Sequence, residues 1–215
     1  MTKIAICIPS RDTWKADFGL SLTMGCLALW QMSQVDGDLI NIRLCHVKGS
    51  LLPENRNALV KQAIDSDCSH ILWVDDDMFF PMDTFHKLFK RGVDIVGANC
   101  ATKCIPPRPT AKNGRDYVFT TAESTGLEQV NRLGTGLLLM NIEVFKKMEY
   151  PYFACPSDPA WEGAPMGEDI YMIKKAQELG YKVYIDHDVS KHVGHIGDFH
   201  YTHDLMEEYH VKKES

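Results

Sequence analysis

Short apolar runs alternate with amphipathic segments through the first half of the chain. The apolar runs predict buried strands at residues 4–8, 39–44, 71–74 and 94–98. Between them, apolar side chains recur at helical spacing and predict helices at about 17–34, from 52 onward and around 85–92. Because strands that alternate with helices favour parallel pairing, we predict a mostly parallel central sheet flanked by helices.

The second half is less regular and predicts a small antiparallel addition. Its predicted strands lie near residues 117–119 and 128–130 and at 137–140 and 181–185. A helix is predicted to begin at Glu168, after a proline-rich loop. No internal repeat or long linker divides the chain, so we predict an α/β fold in one domain over residues 1–215.

The charge balance narrows the kinds of partner. The 215 residues carry a formal charge of −6, with 45% hydrophobic and 24% charged residues, which is typical of a globular protein. Basic residues are not in excess, so nucleic-acid binding would need a local basic groove.

The sequence also predicts a compartment. A predicted strand follows Met1–Lys3 directly, so no signal peptide is expected, and no apolar run reaches the roughly 18 residues of a membrane span. The seven cysteines are scattered, and Cys100 and Cys104 lack a second matching pair for a zinc site. We therefore expect reduced thiols in a cytoplasmic protein.

Three consecutive carboxylates follow the apolar run at 71–74. If the strand continued through them, Asp75 and Asp77 would face one way and Asp76 the other. Like charges this close repel, so one carboxyl must be protonated or a cation must lie between them. Paired oxygen ligands at a strand end suit Mg²⁺ or Mn²⁺ that also contacts phosphates. The alternative is a solvated acidic turn.

Glu168 and Asp169, at the predicted helix start, admit two interpretations. The partial positive charge of a helix N-terminus favours carboxylates there, so both could simply cap the helix. Alternatively, one of them is a general base that takes a proton from an acceptor hydroxyl. The helix dipole would lower the pKa of that base and weaken it unless burial offsets the effect.

Two histidines near the end of the chain are candidate metal ligands. Gly194 and Gly197 flank His195 and allow the backbone to approach closely, and His192 lies just before them. A neutral imidazole is a sound ligand for Mn²⁺ and a poor one for Mg²⁺. We expect one of the two to bind metal, although a histidine in a tail is more often a plain surface residue.

Six short motifs occur in a fixed order along the chain. They are Ile8-Pro9-Ser10-Arg11-Asp12, Arg56-Asn57-Ala58-Leu59-Val60, Trp73-Val74-Asp75-Asp76-Asp77, Gly134-Thr135-Gly136, Gly167-Glu168-Asp169 and Gly194-His195-Ile196-Gly197. Each motif alone is weak, but their order resembles the nucleotide-sugar glycosyltransferases of the GT-A fold, of the family 2 kind. The resemblance covers roughly residues 3–197.

The resemblance implies a Rossmann-like GT-A domain and assigns roles in its first half. The residues implied to bind the nucleotide sugar there are Pro9, Ser10, Arg11, Asp12, Arg56, Asp75 and Asp76. Asp75–Asp77 is similar to the DxD motif of the family, which would place Asp77 on the metal and Asp75 towards the ribose or the metal.

The resemblance also assigns roles to residues in the second half of the chain. Gly134, Thr135 and Gly136 would pass beneath the donor sugar or acceptor, and Asp169, with Glu168 beside it, would be the catalytic base of inverting members. The implied metal ligands are Asp77, Asp75 and His195, with His192 as the fallback. Trp161 would stack on an acceptor sugar, or it simply fills the core.

The implied activity is metal-dependent transfer of a sugar from a nucleoside-diphosphate sugar, a UDP- or GDP-sugar, to a hydroxyl acceptor. Mn²⁺ or Mg²⁺ would be the cofactor. A nucleotide-binding half would span about residues 1–100, an acceptor and metal-closing half about 101–197, and a tail 198–215. The acceptor is left open among a glycan, a lipid-linked sugar, a protein and a modified nucleic-acid base, as is retention or inversion.

Two other functions compete with transfer. A nucleotidyltransferase acting on sugar phosphates would usually carry a Gly-rich basic loop after the first strand, where this chain has Pro9–Thr13. A non-catalytic nucleotide-sugar-binding module would be expected to lose a carboxylate or the histidine, and this chain keeps them.

Overall fold

The computed structural model describes residues 2–157, 163–197 and 200–210, without the side chains of residues 201 and 208–210. The helices are α1 (Ala16–Asp36), α2 (Leu52–Asp65), α3 (Thr84–Lys90), α4 (Ile142–Lys147), α5 (Glu168–Glu178), α6 (His187–Ser190) and α7 (His203–His210). The strands are β1 (Lys3–Ser10), β2 (Asn41–Lys48), β3 (His70–Val74), β4 (Met78–Phe79), β5 (Ile95–Gly97), β6 (Lys112–Asn113), β7 (Asp116–Tyr117), β8 (Leu127–Val130), β9 (Leu137–Asn141), β10 (Val183–Asp186), β11 (Gly194–Ile196) and β12 (His200–Tyr201).

Seven strands form the central sheet in the order β2-β1-β3-β9-β5-β10-β8. Strands β2, β1, β3, β5 and β10 run in one direction, while β9 and β8 run against them. The predicted α/β architecture, with a mostly parallel sheet and a small antiparallel addition, is therefore confirmed. The sequence did not show that β9 inserts antiparallel between β3 and β5.

Alternation along β3 divides the core into two layers. Ile71 and Trp73 pack into the cluster that includes Leu59 of α2 and Phe145 of α4. Their neighbours in β3 pack into the other cluster, together with Phe18 and other residues of α1 and α3. Successive side chains of a strand point to opposite faces, so a sheet covered on both sides needs the unbroken apolar run that the sequence shows.

A small antiparallel sheet joins the aspartate region to the late histidines. Strand β4 pairs with β11, which also pairs with β12. The register places His195 opposite Met78, and Ile196 N–H donates to the carbonyl of Asp77 at 2.6 Å. This pairing brings two distant parts of the chain together beside the carboxyl end of β3.

Across the described ranges, no helix combines the length and apolar character needed to cross a bilayer. All seven cysteines are free thiols in the structure, with Cys104 and Cys155 exposed.

Candidate active site

The loops that carry the predicted motifs meet at one edge of the sheet. Strands β1 and β3 run in the same direction, so Ser10 and Asp75 follow at the same edge. Because β9 runs the opposite way, its start lies there as well, and Asp75 N–H donates to the carbonyl of Gly136 at 2.9 Å. Ligands of open α/β sheets commonly bind at this edge.

The three aspartates occupy a turn and not a continuation of the strand. Strand β3 ends at Val74, and Met78 N–H donates back to the carbonyl of Asp75 at 3.2 Å. The expected alternation of Asp75 and Asp77 against Asp76 is therefore wrong, because it required extended backbone. Each carboxylate instead has its own surroundings.

The pKa of Asp76 is raised, mainly by burial. Burial raises the pKa of Asp76, and the neighbouring Asp77 and Asp75 raise it further, against a hydrogen bond from Ser10 that lowers it. Asp75 and Asp77, by contrast, each contact a cationic side chain, Arg56 and Lys103 respectively. Ion pairs therefore offset the negative charge of Asp75 and Asp77, and the repulsion that acts on Asp76 adds to the rise in its pKa.

A first cavity of about 290 Å³ lies between the end of β1 and the aspartate turn. Its lining residues are Pro9, Ser10, Arg11, Gly49, Ser50, Leu52, Asn55, Asp75, Asp76 and Asp77. Asp12 is not among them, since it lies exposed and pairs with Lys48 at 2.8 Å. The structure therefore brings together three of the four predicted β1-loop residues and all three aspartates.

A second cavity of about 190 Å³ continues from the first and shares Leu52 and Asp75 with it. Its lining residues are Leu52, Arg56, Asp75, Cys100, Thr110, Gly134, Thr135, Gly136, Glu168, Asp169 and His195. Six separate segments of the chain thus contribute predicted site residues to two adjoining cavities.

Asp169 is the most perturbed carboxyl group of the second cavity. Burial raises its pKa to about 6, and Glu168 adds to the rise, while a hydrogen bond from Ile170 N–H at 2.7 Å and the charge of Arg56 oppose it. Desolvation therefore outweighs the stabilisation expected at a helix start. The N-cap of α5 is Gly167, which makes no side-chain capping bond, while Asp169 accepts from Ile170 N–H in the first turn, so the capping and general-base interpretations of Asp169 both stay predictions.

The Arg56 side chain is buried, with 1% of its surface exposed, and contacts the carboxylates of Asp75 and Glu168. Its Nη2 donates to Asp75 Oδ1 at 2.8 Å, and its Nε lies 3.5 Å from Glu168 Oε1. The guanidinium also lies over the ring of Trp73, at 5.5 Å from the ring centroid. Nε and Nη1 have no hydrogen-bond partner, so this buried cation retains donors at the cavity floor.

His195 presents one ring nitrogen to the second cavity. Its Nδ1 lies 2.5 Å from the carbonyl of Ala101, which can only accept, so Nδ1 carries the proton. A neutral ring then has its lone pair on Nε2. Both His195 Nε2 and Asp75 Oδ2 lie within 3.6 Å of the position that a Cβ would take on Gly136.

Asp75 Oδ2 and His195 Nε2 supply only part of the ligand set that a divalent cation needs. Metal-binding histidines commonly donate their second ring N–H to a carbonyl, as His195 does, and Gly136 leaves open the space that a methyl group would fill. Asp77, however, is held by Lys103. Among the described residues, no group of three or more His, Cys, Asp and Glu side chains is arranged to hold a metal ion.

Like Asp12, His192 does not join the site, since it is exposed on a turn and is not among the lining residues of either cavity. Trp161 lies outside the described residues.

The lining residues that were missed in the sequence include Gly49, Ser50, Cys100 and Thr110. Asn55 of α2 lines the first cavity and donates to the carbonyl of Gly49 at 2.9 Å, which fixes the loop after β2. Asn57 instead accepts from Phe153 N–H at 3.0 Å and donates to its carbonyl at 2.9 Å. Lys103 gave no signal, because its approach to Asp77 depends on the loop after β5.

Comparisons with known proteins bear on the fold. No protein-family model matches the chain, and no curated protein matches it. The crystal structure of A197 from STIV is similar, with a TM-score of 0.61 and 16% identity, over 95% of this chain and 92% of that chain. The structure of S. aureus TarS 1–349 has a TM-score of 0.44 and 15% identity, over 86% of this chain and 57% of that chain, which is too partial for an inference. The fold of this chain is therefore similar to that of A197 from STIV.

Proposed function

We propose that this protein is a metal-dependent glycosyltransferase that moves a sugar from a nucleoside-diphosphate sugar to a hydroxyl acceptor. The observation that carries the proposal is the joining of two cavities at Asp75. One cavity is lined by the loop after β1 and the aspartate turn, and the other ends at a carboxyl group whose pKa is raised to about 6.

The first cavity supports binding of the nucleotide part of the donor. Pro9, Ser10 and Arg11 line one side and the aspartate turn lines the other, with Asn55 between them. A cavity of about 290 Å³ whose lining includes Ser10, Arg11 and Asn55 suits a ribose and its phosphates better than a wholly apolar ligand. The donor's sugar would then extend past Asp75 into the second cavity, above Gly134–Gly136.

Asp169 is suited to the proton transfer that the reaction needs. In an inverting reaction, the Asp169 carboxylate takes the proton of the acceptor hydroxyl as the acceptor oxygen bonds to the anomeric carbon. The bond from that carbon to the diphosphate oxygen breaks, and the electron pair leaves with the nucleoside diphosphate. A base with a pKa of about 6 is ionised at neutral pH and still accepts a proton more readily than an ordinary aspartate.

Asp75 and His195 would hold the divalent cation, Mn²⁺ or Mg²⁺, with Asp77 available only if Lys103 withdraws. Such an ion, when bound, neutralises the charge that develops on the diphosphate. Two protein ligands are sufficient in principle, because these cations commonly take further ligands from substrate phosphates and water. Arg56 keeps Asp75 oriented through its bond to Oδ1 and leaves Oδ2 facing Gly136.

The proposal is tested by measuring nucleoside diphosphate release from a panel of UDP-, GDP- and TDP-sugars with Mn²⁺. Wild type should turn over at least one donor, and Asp169→Asn should lower the rate by about 10²-fold or more because the base is lost. Chelation of divalent cations and Asp75→Asn should each lower it as well. Asp65→Asn, at the exposed end of α2, is the matched control.

Two results would contradict the proposal. One is an absence of nucleotide binding across the whole panel, measured by thermal shift as well as by turnover. The other is turnover that persists unchanged in Asp169→Asn and after chelation. Release of pyrophosphate from a nucleoside triphosphate and a sugar phosphate would instead identify a nucleotidyltransferase.

A further inference from the structure

A third cavity, of about 430 Å³, also reaches Asp169 and shares no lining residue with the nucleotide cavity. It shares Thr110 and Asp169 with the second cavity. Its lining residues are Thr102, Cys104, Arg108, Pro109, Thr110, Lys112, Tyr117, Arg132, Asp169 and Ile170. None of these residues except Asp169 was assigned a role from the sequence. A molecule bound there would reach the proposed base through a cavity distinct from the one assigned to the donor nucleotide.

Three cationic side chains line this third cavity and come from separate segments. Arg108 belongs to the loop after β5, Lys112 to β6, and Arg132 to the residues after β8. Lys112 and Arg132 form an antiparallel bridge, with each N–H 3.0 Å from the other's carbonyl. Because paired residues of antiparallel strands project to the same side, the bridge sets these two side chains next to each other.

The positive charge of the third cavity is not balanced by protein carboxylates. Within the described part of the chain, no ion pair joins Arg108, Lys112 or Arg132 to an acidic side chain. The acidic lining residue is Asp169, so three cations face one carboxyl group. The chain as a whole carries −6, which makes this local excess of positive charge a feature of the site and not of the protein surface in general.

The pKa of Tyr117 reflects the positive charge of the third cavity. Lys112 Nζ lies 4.1 Å from the centroid of its ring, and Arg108 Nη1 donates to its hydroxyl at 3.5 Å. Partial burial raises the pKa of Tyr117, but the hydrogen bond from Arg108 and the charge of Lys112 outweigh burial, and the pKa lies below its ordinary value. The cavity thus favours negative charge on a group placed within it.

We infer that the acceptor carries a phosphate group, which Arg108, Lys112 and Arg132 bind while the accepting hydroxyl lies at Asp169. The inference rests on the proposed function and adds the chemical class of the acceptor. Guanidinium and ammonium groups are the usual protein partners of phosphate, and arginine can bind two of its oxygens at once. The acceptor phosphate takes no part in bond making: the hydroxyl loses its proton to Asp169, its oxygen bonds to the anomeric carbon, and the bond from that carbon to the diphosphate breaks.

The inference is tested with acceptor pairs that differ only in the phosphate. Suitable pairs are glycerol with glycerol 3-phosphate, and glucose with glucose 6-phosphate. A hydroxymethylated oligonucleotide, compared with its nucleoside, tests a phosphodiester source. The phosphorylated member of at least one pair should have a kcat/KM about tenfold or more above its partner. Equal values for every pair, with donor turnover intact, would overturn the inference and leave the proposed function standing.

Substitutions of the cationic lining residues test whether the preference for a phosphorylated acceptor arises in the third cavity. Arg132→Gln and Lys112→Gln should each reduce the preference for the phosphorylated acceptor about tenfold, whereas Arg132→Lys should keep most of it. Lys146→Gln, which removes a lysine paired with Glu143 on α4, is the control and should keep the full preference. A preference that survives Arg132→Gln and Lys112→Gln together would overturn the inference.

A binding measurement separates this inference from the proposed function. Inorganic phosphate is titrated into wild type and Arg132→Gln by calorimetry, after thermal unfolding has shown that both are folded. Weaker binding to Arg132→Gln supports a phosphate site even if no sugar nucleotide is turned over. Equal binding, or no binding to either, counts against it whatever the donor assay shows.

Discussion

Opposing effects act on the pKa of the Asp169 carboxyl group. The start of α5 and the charge of Arg56 favour its ionised form, whereas burial and Glu168 favour the neutral form. Burial and Glu168 prevail, and the pKa is raised to about 6. A group held this way contributes less to stability at neutral pH than an ordinary aspartate, which is a recurrent feature of residues that serve chemistry.

The first prediction is that Asp169→Asn stabilises the protein at pH 7.5 while it removes activity. The raised pKa means that the native state resists losing the proton that the unfolded chain loses near pH 4, so stability falls as pH rises from about 4 to 6. Asparagine removes that penalty and can still accept from Ile170 N–H. Because the residue is only partly buried, we expect a gain of about 1–2 kcal/mol by urea denaturation.

The pH dependence of this gain in stability tests whether the titration of Asp169 causes it. It should be full above pH 6 and should disappear near pH 4, where the carboxyl is neutral in both states. A gain of the same size at pH 4 and pH 7.5 would mean that the cause is not the titration of Asp169.

The second prediction concerns the pH dependence of turnover. The charged groups that face Asp169 are Glu168, Arg56, Asp75, Arg108, Lys112 and Arg132. With the pKa of Asp169 raised to about 6, kcat should rise through pH 6 and level off above it, because only the ionised carboxylate accepts the hydroxyl proton. Rates are measured from pH 4.5 to 8. A rate that is level across pH 5–7 in wild type would remove Asp169 from the role of base.

At the scale of elements, Gly136, just before β9, lies against both proposed metal ligands. A Cβ on Gly136 would lie 3.4 Å from Asp75 Oδ2 and 3.6 Å from His195 Nε2. These are ordinary contact distances, so a methyl group would fit without displacing backbone. It would nevertheless fill the space between the two proposed ligands.

The third prediction is that Gly136→Ala folds but loses about 10²-fold in kcat/KM, because the methyl group excludes the cation or the donor from between Asp75 and His195. Melting temperature and donor turnover are measured together. Gly19→Ala makes the same chemical change in α1, where no heavy atom lies within 4 Å of the new Cβ, and should keep wild-type turnover. Full activity of Gly136→Ala would show that this space is not used.

At the scale of the whole molecule, the loop after β5 links the aspartate turn to the histidine strand. Lys103 of that loop pairs with Asp77, and Ala101 accepts from His195. A lysine ammonium and a divalent cation would compete for the same carboxylate. The loop would therefore affect how tightly the proposed cation is held at this edge of the sheet.

The fourth prediction is that Lys103→Met lowers the Mn²⁺ concentration needed for half-maximal thermal stabilisation in the presence of UDP. The ion pair is partly exposed, so its removal should change this concentration only about two- to fivefold. Lys146→Met, which breaks a pair on α4, is the control and should leave it unchanged. A higher Mn²⁺ requirement in Lys103→Met would show that Lys103 assists the site instead of competing with the cation.

The sequence determined those features that depend on local pattern. The periodicity of apolar residues identified the buried strand at 71–74 and the helix that begins at Glu168, because a strand or helix covered by a core must repeat apolar side chains with its own period. Polar residues at strand ends then placed Ser10 and Asp75 at one edge of the sheet. The α/β architecture followed from the alternation of elements.

The tertiary structure decided the features that depend on contacts between distant segments. The antiparallel insertion of β9, the pairing of β4 with β11 and the approach of Lys103 to Asp77 have no local signature, since strand pairing is selected by the packing of the whole sheet. The raised pKa of Asp169 belongs to the same class. Its proximity to a helix start was visible in the sequence, but the burial that outweighs the dipole exists only once the chain has folded around it.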